Sequence, residues 1–166
     1  MRCYVLMGVS GCGKSSVGTA LSVTCDMDFI DGDDLHPRHN IAKMASGQPL
    51  GDDDRAPWLA RVGRTLAQSS GPIVIGCSAL RKTYRDWIRE QVSEPVRFLH
   101  LDAAKDVVAQ RVAARSGHFM PSALLDSQFD ALERLDPTEL GAEINIAQPY
   151  EQVIAQTEGY VKETLI

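Results

Sequence analysis

The chain has 166 residues, 44% of them hydrophobic, and a formal net charge of −5 at pH 7. That length suits one domain spanning 1–166, and the acidic balance leaves no basic stripe for a nucleic-acid partner. No apolar stretch approaches the ~20 residues of a membrane span, and Cys3, Cys12, Cys25 and Cys77 lack paired spacing, as expected for reduced thiols in a cytoplasmic protein without a leader.

In chain order, Cys3-Tyr4-Val5-Leu6-Met7 is an unbroken apolar run too short for a helix, the pattern of a strand buried on both faces. Gly8-Val9-Ser10-Gly11-Cys12-Gly13-Lys14-Ser15 follows at once, and from Ser16 the pattern turns helical. Strand, glycine-rich turn, Lys-Ser and helix together make a phosphate-binding P-loop. Glycines let successive backbone N–H groups close on a phosphate, and the helix N-terminus adds partial positive charge. Lys14 supplies a cation to the β- and γ-phosphates, and the Ser15 hydroxyl can ligate Mg²⁺. The chain is expected to bind a nucleoside triphosphate.

A second strand is expected over 27–31, a helix over 37–44, a loop over 46–51 and a helix over 55–69. Then come a strand at 73–77, a helix at 81–91, a strand at 96–101 and a helix at 104–115. A helix over 122–133, a short strand at 143–147 and a closing helix opened by Pro149 complete the pattern. Strands alternating with helices imply an α/β fold, with five parallel strands and helices on both faces. In such sheets ligands bind beyond the carboxyl ends of the strands, so Gly8, Asp31 and Cys77-Ser78 should meet in one cleft.

The DxxG and NKxD patterns of GTPases do not occur. The third strand ends in Gly76-Cys77-Ser78, without the acid many P-loop ATPases place there, so Asp31 becomes the candidate metal partner. A small-metabolite kinase fits these observations best.

Several blocks carry a closer likeness. They are 7–15 around the P-loop, Asp31-Gly32-Asp33-Asp34-Leu35-His36-Pro37, Lys43-Met44-Ala45-Ser46-Gly47-Gln48-Pro49-Leu50 and Asp52-Asp53-Asp54-Arg55-Ala56-Pro57-Trp58-Leu59. Cys77-Ser78-Ala79-Leu80-Arg81-Lys82-Thr83-Tyr84-Arg85-Asp86, Gly117-His118-Phe119-Met120-Pro121 and Ser127-Gln128-Phe129 follow in order. Together they resemble the gluconate kinase (gluconokinase) family. The resemblance implies a P-loop kinase fold like that of nucleoside monophosphate and shikimate kinases, with a lid near 115–122. It implies ATP- and Mg²⁺-dependent phosphorylation of D-gluconate at its terminal hydroxyl, by a protein that is often a homodimer. A kinase of another hydroxy acid, such as shikimate, is the alternative; a silent nucleotide-binding module would have no need of these groups together.

Asp33 follows Asp31 past one glycine, so both carboxylates can face the cleft, one near the metal and the other accepting the substrate hydroxyl. Asp34 is expected to cap the next helix, as is Asp54. Arg55 sits against the helix dipole in a first turn, which suggests a specific role, and its fork matches the carboxylate of gluconate. Trp58 is expected to pack the helix. Arg111 and Arg115, four apart on one helix face, are expected to close over the phosphates and, with Lys14 and Asp33, to form the catalytic set. Ser16, Gln148 and Pro149 join the nucleotide side; His36, Ser78, Ala79, Leu80, His118 and Gln128 join Asp33 and Arg55 on the gluconate side. Pro37 between His36 and His39, with no further ligands, argues against zinc.

Overall fold

The alternation of apolar runs and amphipathic stretches resolves into five parallel strands and seven α-helices, in a computed structural model that describes residues 2–115 and 122–165. The strands are β1 (Cys3–Met7), β2 (Asp28–Asp31), β3 (Ile73–Gly76), β4 (Val96–Asp102) and β5 (Gly141–Asn145), in the spatial order β2-β3-β1-β4-β5. The helices are α1 (Lys14–Thr24), α2 (Arg38–Ala45), α3 (Asp52–Gln68), α4 (Lys82–Arg89), α5 (Lys105–Ala114), α6 (Ser122–Ala131) and α7 (Tyr150–Thr164). β1 lies in the middle, with Leu6 opposite Gly76 of β3 and Met7 opposite His100 of β4. Every residue of β1 and β3 is buried, which accounts for their unbroken apolar sequences.

Successive β1 side chains point to opposite faces and seed two cores. Tyr4 and Leu6 pack with Leu21 of α1 and Val161 of α7; Cys3, Val5 and Met7 pack with Leu59 and Val62 of α3 and Ile88 of α4. The parallel α/β fold expected from the alternation is the fold observed.

Element ends differ from the sequence reading where backbone bonds outweigh side-chain pattern. α1 starts at Lys14, with Gly13 as its N-cap. α3 starts at Asp52, three residues early, because Gly51 is its N-cap and Asp54 reaches back to accept the Gly51 N–H at 2.8 Å. Asp54 is therefore not the cap itself. Lys43 at 2.6 Å, that Gly51 N–H and His39 draw its carboxyl down to about 2. Asp34 does not cap α2, whose N-cap is Pro37; it lies in a 3₁₀ turn, Gly32–Leu35, capped by Asp31. Arg115 ends α5 in extended conformation, so it leaves the helix face it was expected to share with Arg111. The lid expected at 115–122 falls, save its ends, outside the described residues.

A buried guanidinium braces the cleft wall. Arg85 of α4 is fully buried and pairs through Nε and Nη2 with Glu139 at 2.7 and 2.8 Å. Its remaining N–H groups satisfy the carbonyls of Ala79, Leu80, Glu133 and Arg134. Burial alone would raise the Glu139 carboxyl, but the bonds from Arg85 and the Asp136 N–H, with Arg89 nearby, bring it down to about 2. Arg85→Met should cost about 3–5 kcal/mol, because Glu139 loses its two bonds from the buried guanidinium and the carbonyls of Ala79, Glu133 and Arg134 lose the donor they share. A carboxyl depressed in the folded state contributes stability above its ordinary 4.5 and loses it as pH falls toward 2. Urea unfolding should therefore show a large deficit for the variant at neutral pH that narrows in acid; a deficit independent of pH would contradict the pairing.

Candidate active site

β1 ends at Met7, and the next residue must turn the chain inside a crowded corner. Gly8 has φ +146°, and a Cβ there would lie 2.7 Å from Cys12 Sγ and 2.9 Å from the Leu101 carbonyl oxygen. Its N–H donates to the Ser78 carbonyl at 3.2 Å, tying the P-loop to the segment after β3. Gly13, with φ +100°, passes the loop into α1 in the left-handed region. Lys14 Nζ donates to the carbonyls of Gly8 at 2.9 Å and Val9 at 3.1 Å, so the ammonium spans the loop mouth.

Two cavities adjoin over this loop. One, of about 250 Å³, is walled by Gly11, Cys12, Gly13, Ser16 and Val17 on the loop side. Arg111, Ala114, Arg115, Ile146, Tyr150 and Val153 close it, giving a largely apolar slot of nucleoside character. The other, of about 200 Å³, is polar and collects Ser10, Lys14, Ser15, Asp31, Asp33, Gly76 and Arg115. Gly11, Gly13 and Arg115 line both. Arg115 thus stands where the two chambers meet, whereas Arg111 lines only the first and donates to the Ile146 carbonyl.

In the polar chamber Asp31 Oδ2 accepts from the Ser15 hydroxyl at 3.3 Å, and its Oδ1 accepts the Asp33 N–H at 3.0 Å. A hydroxyl and a carboxylate side by side at a phosphate cradle are the hard oxygen donors that Mg²⁺ takes. Desolvation in the cleft and the charge of Asp31 push the Asp33 carboxyl above the ordinary carboxylate range. A raised acid beside a phosphate site is suited to hold a proton taken from a hydroxyl.

Beside that acid, His36 donates its backbone N–H to the Asp33 carbonyl at 3.4 Å, and its ring stacks on Trp58 with centroids 4.0 Å apart. Trp58 is itself buried, and its indole N–H donates to the Gly32 carbonyl at 2.8 Å, so it packs the helix as expected and also seats the histidine. Burial holds the His36 imidazole below its usual value, with the Asp33 charge opposing. Arg55 lies 5.5 Å over the Tyr84 ring; its Nη1 is 3.5 Å from Tyr84 Oη and 3.8 Å from Asp52. These loose contacts leave the guanidinium fork largely available.

Other expected site residues are placed differently. Ala79 and Leu80 are buried, their carbonyls taken by Arg85, so only half-buried Ser78 of that trio can face the cleft by its side chain. The Gln148 side chain turns to Gln156 at 2.7 Å, and neither it nor Pro149 lines the nucleoside slot; Ile146 and Tyr150 do. Tyr150 was legible as the first residue after Pro149, but nothing in the pattern said which side of the turn faces the slot. His118 lies outside the described residues. Gln128, expected on the gluconate side, grips the P-loop: its Oε1 accepts the Ser10 N–H at 2.6 Å and its Nε2 donates to Ser10 Oγ at 2.9 Å.

The comparisons with known proteins agree with this geometry. A family model described as an AAA domain matches residues 4–135. The chain is 43% identical over 165 residues to the thermoresistant gluconokinase of Escherichia coli (strain K12), covering 96% of this chain and 93% of that protein. The thermosensitive gluconokinase of the same strain is 48% identical over 134 residues, covering 79% and 71%. The chain belongs to the gluconokinase family. A crystal structure of a gluconokinase from Sinorhizobium meliloti 1021 superposes with a TM-score of 0.89 at 44% identity, over 98% of this chain and 92% of that one. A shikimate kinase from Aquifex aeolicus shares the fold alone, with a TM-score of 0.60 at 15% identity over 99% and 98%.

Within this gluconokinase fold, the Gln128 contact separates two roles. Gln128→Leu should raise the KM for ATP about fivefold, the scale of a lost neutral hydrogen bond at the cradle, and leave the KM for the sugar acid nearly unchanged. Steady-state kinetics with each substrate varied in turn checks this; the reverse pattern would return Gln128 to the sugar site.

Proposed function

We propose that this chain transfers the γ-phosphoryl group of ATP to the terminal hydroxyl of D-gluconate, giving 6-phospho-D-gluconate. The observation that carries the reading is the pair of adjoining chambers, one apolar and one polar, joined across the P-loop by Gly11, Gly13 and Arg115. A donor held in the first presents its terminal phosphate at the entrance of the second, where Asp33 awaits the acceptor hydroxyl.

The loop amides and Lys14 neutralise the phosphates, and Arg115 adds charge where the phosphoryl group crosses. Asp33 holds the hydroxyl in line and keeps its proton as the oxygen–phosphorus bond forms and ADP departs. Ser15 and Asp31 would hold Mg²⁺, which supplies charge neutralisation on the phosphates. Arg55 takes the gluconate carboxylate, while His36 and Ser78 offer polar contacts to its hydroxyls. A cytoplasmic homodimer built on one domain completes the reading.

Coupled detection of ADP release across a panel of sugar acids and shikimate tests the activity directly: gluconate should be preferred, and preference for another acid would sink the assignment. Asp33→Asn should leave ATP affinity nearly intact and lower kcat by about 10²- to 10⁴-fold, the usual contribution of a general base. Wild-type kcat in that variant would remove Asp33 from the role. Arg55→Lys should raise the KM for gluconate by about 1.5–3 kcal/mol in binding terms while sparing ATP, since an ammonium cannot reproduce a bidentate fork. Equal effects on both substrates would make Arg55 structural.

A further inference from the structure

His36 is held more tightly than packing requires, and the group that holds it is an asparagine with no place in any motif. Asn40 is 1% exposed and lies on α2, one turn beyond His36. Its Nδ2 sits 2.9 Å from the Asp54 carbonyl oxygen and 3.2 Å from His36 Nδ1. A carbonyl oxygen can only accept, so the Asn40 atom facing Asp54 is the amide nitrogen, with no lone pair to offer. Both contacts therefore use its two N–H donors, and His36 Nδ1 must be the acceptor of the second. A neutral imidazole that accepts at Nδ1 carries its hydrogen on Nε2.

We infer that Asn40 is a positioning residue that locks His36 in the Nε2–H tautomer, so that the ring offers an acceptor oxygen of the sugar acid a neutral hydrogen-bond donor. The assignment rests on the proposed gluconate kinase reading for the identity of the acceptor, but the tautomer follows from the bonding alone. Trp58 fixes the plane of the ring through an interplanar angle of 17°, and Asn40 fixes its edge. Nε2 is the remaining polar atom of the ring, and no described residue bonds it. A donor pressed against Nδ1 also opposes a second proton there, in line with the burial that already favours the neutral ring. Asp33 and Arg55 both act on the charge of the ring, and the His36 backbone N–H meets the Asp33 carbonyl, which sets the histidine beside the acid. A neutral donor there binds a hydroxyl or carboxylate oxygen without adding a cation beside the base.

Long-range ¹H–¹⁵N spectra of the full chain should show His36 protonated at Nε2 and bare at Nδ1 at neutral pH. A bare Nε2, or a doubly protonated ring, would overturn the inference. Asn40→Asp replaces the donor with an acceptor, so the proton must move to Nδ1, and the KM for gluconate should rise about five- to tenfold, the scale of one lost hydrogen bond, with that for ATP held within about twofold. If that variant does not fold, Asn40→Ala should show both tautomers in the same spectrum. An unchanged tautomer in the folded variants overturns the lock. A switched tautomer with unchanged KM for gluconate overturns the donor role. Failure of the wild type to phosphorylate gluconate removes the proposed substrate, while the spectrum still decides the tautomer.

Discussion

A P-loop must aim several backbone N–H groups at one point, and it can do so only if the strand before it and the helix after it are both held fast. β1 meets that demand by lying at the centre of the sheet, hydrogen-bonded to β3 on one side and β4 on the other. Because every pair is parallel, all five strands end at the same pole, and the segments that follow them surround the loop. The turn after β2 supplies Asp31 and Asp33, the segment after β3 supplies Ser78, the end of α5 supplies Arg115, and the turn after β5 supplies Ile146. An edge position for β1 would have left one of the two chambers without a wall.

The walls are tied together by one stretch of chain, from α6 to the start of β5. Gln128 holds Ser10 of the P-loop, and the Glu133 N–H bonds the Leu80 carbonyl at 2.7 Å while its carboxylate accepts the Lys82 N–H at 2.7 Å. Farther on, Glu139 anchors Arg85, which gathers the carbonyls of the segment after β3. A buried ion pair is weak evidence for net stability, since both charges lose their hydration. Here the pair satisfies carbonyls that have no strand or helix partner, and that fixes the left-handed Ala79, φ +44°, at the cleft wall. The same stretch of chain thus links the phosphate cradle to the segment after β3.

The order of strands and helices was legible because its signals are local: β1 and β3 are unbroken apolar runs, and the P-loop contains its own turn chemistry. Helix starts were less legible, since Gly51 and Gly13 cap by backbone geometry and Asp54 works from inside the helix it was expected to precede. In the cleft, Lys14, Ser15, Asp31 and Asp33 meet as their spacing along the chain suggested. The residues placed differently are those whose partners no spacing rule along the chain points to. Gln128 meets Ser10 across 118 positions, and the carbonyls of Ala79 and Leu80 are claimed by Arg85, close in sequence but on a charged helix whose pattern does not show which guanidinium turns inward. Asn40 had no signal at all, because one asparagine on a polar helix looks the same whether it faces water or a histidine.

The cleft divides its polar groups by charge. The phosphate half holds Lys14 and Arg115 together with the loop amides, as a polyanion requires. On the proposed reading the acceptor half is under a stricter constraint, because its acid must keep enough proton affinity to take a hydroxyl proton beside those same cations. Desolvation and Asp31 raise the Asp33 carboxyl, whereas His36, when charged, and Lys14 pull it down. Lys14 cannot be spared, so the histidine is the adjustable member of the set. Burial and the Asn40 donor both favour an uncharged ring, and an uncharged ring withdraws the pull it would otherwise exert on Asp33. On the same reading, the contacts that orient His36 also preserve the basicity of its neighbour, and that ties a buried asparagine on α2 to the chemistry proposed for the site.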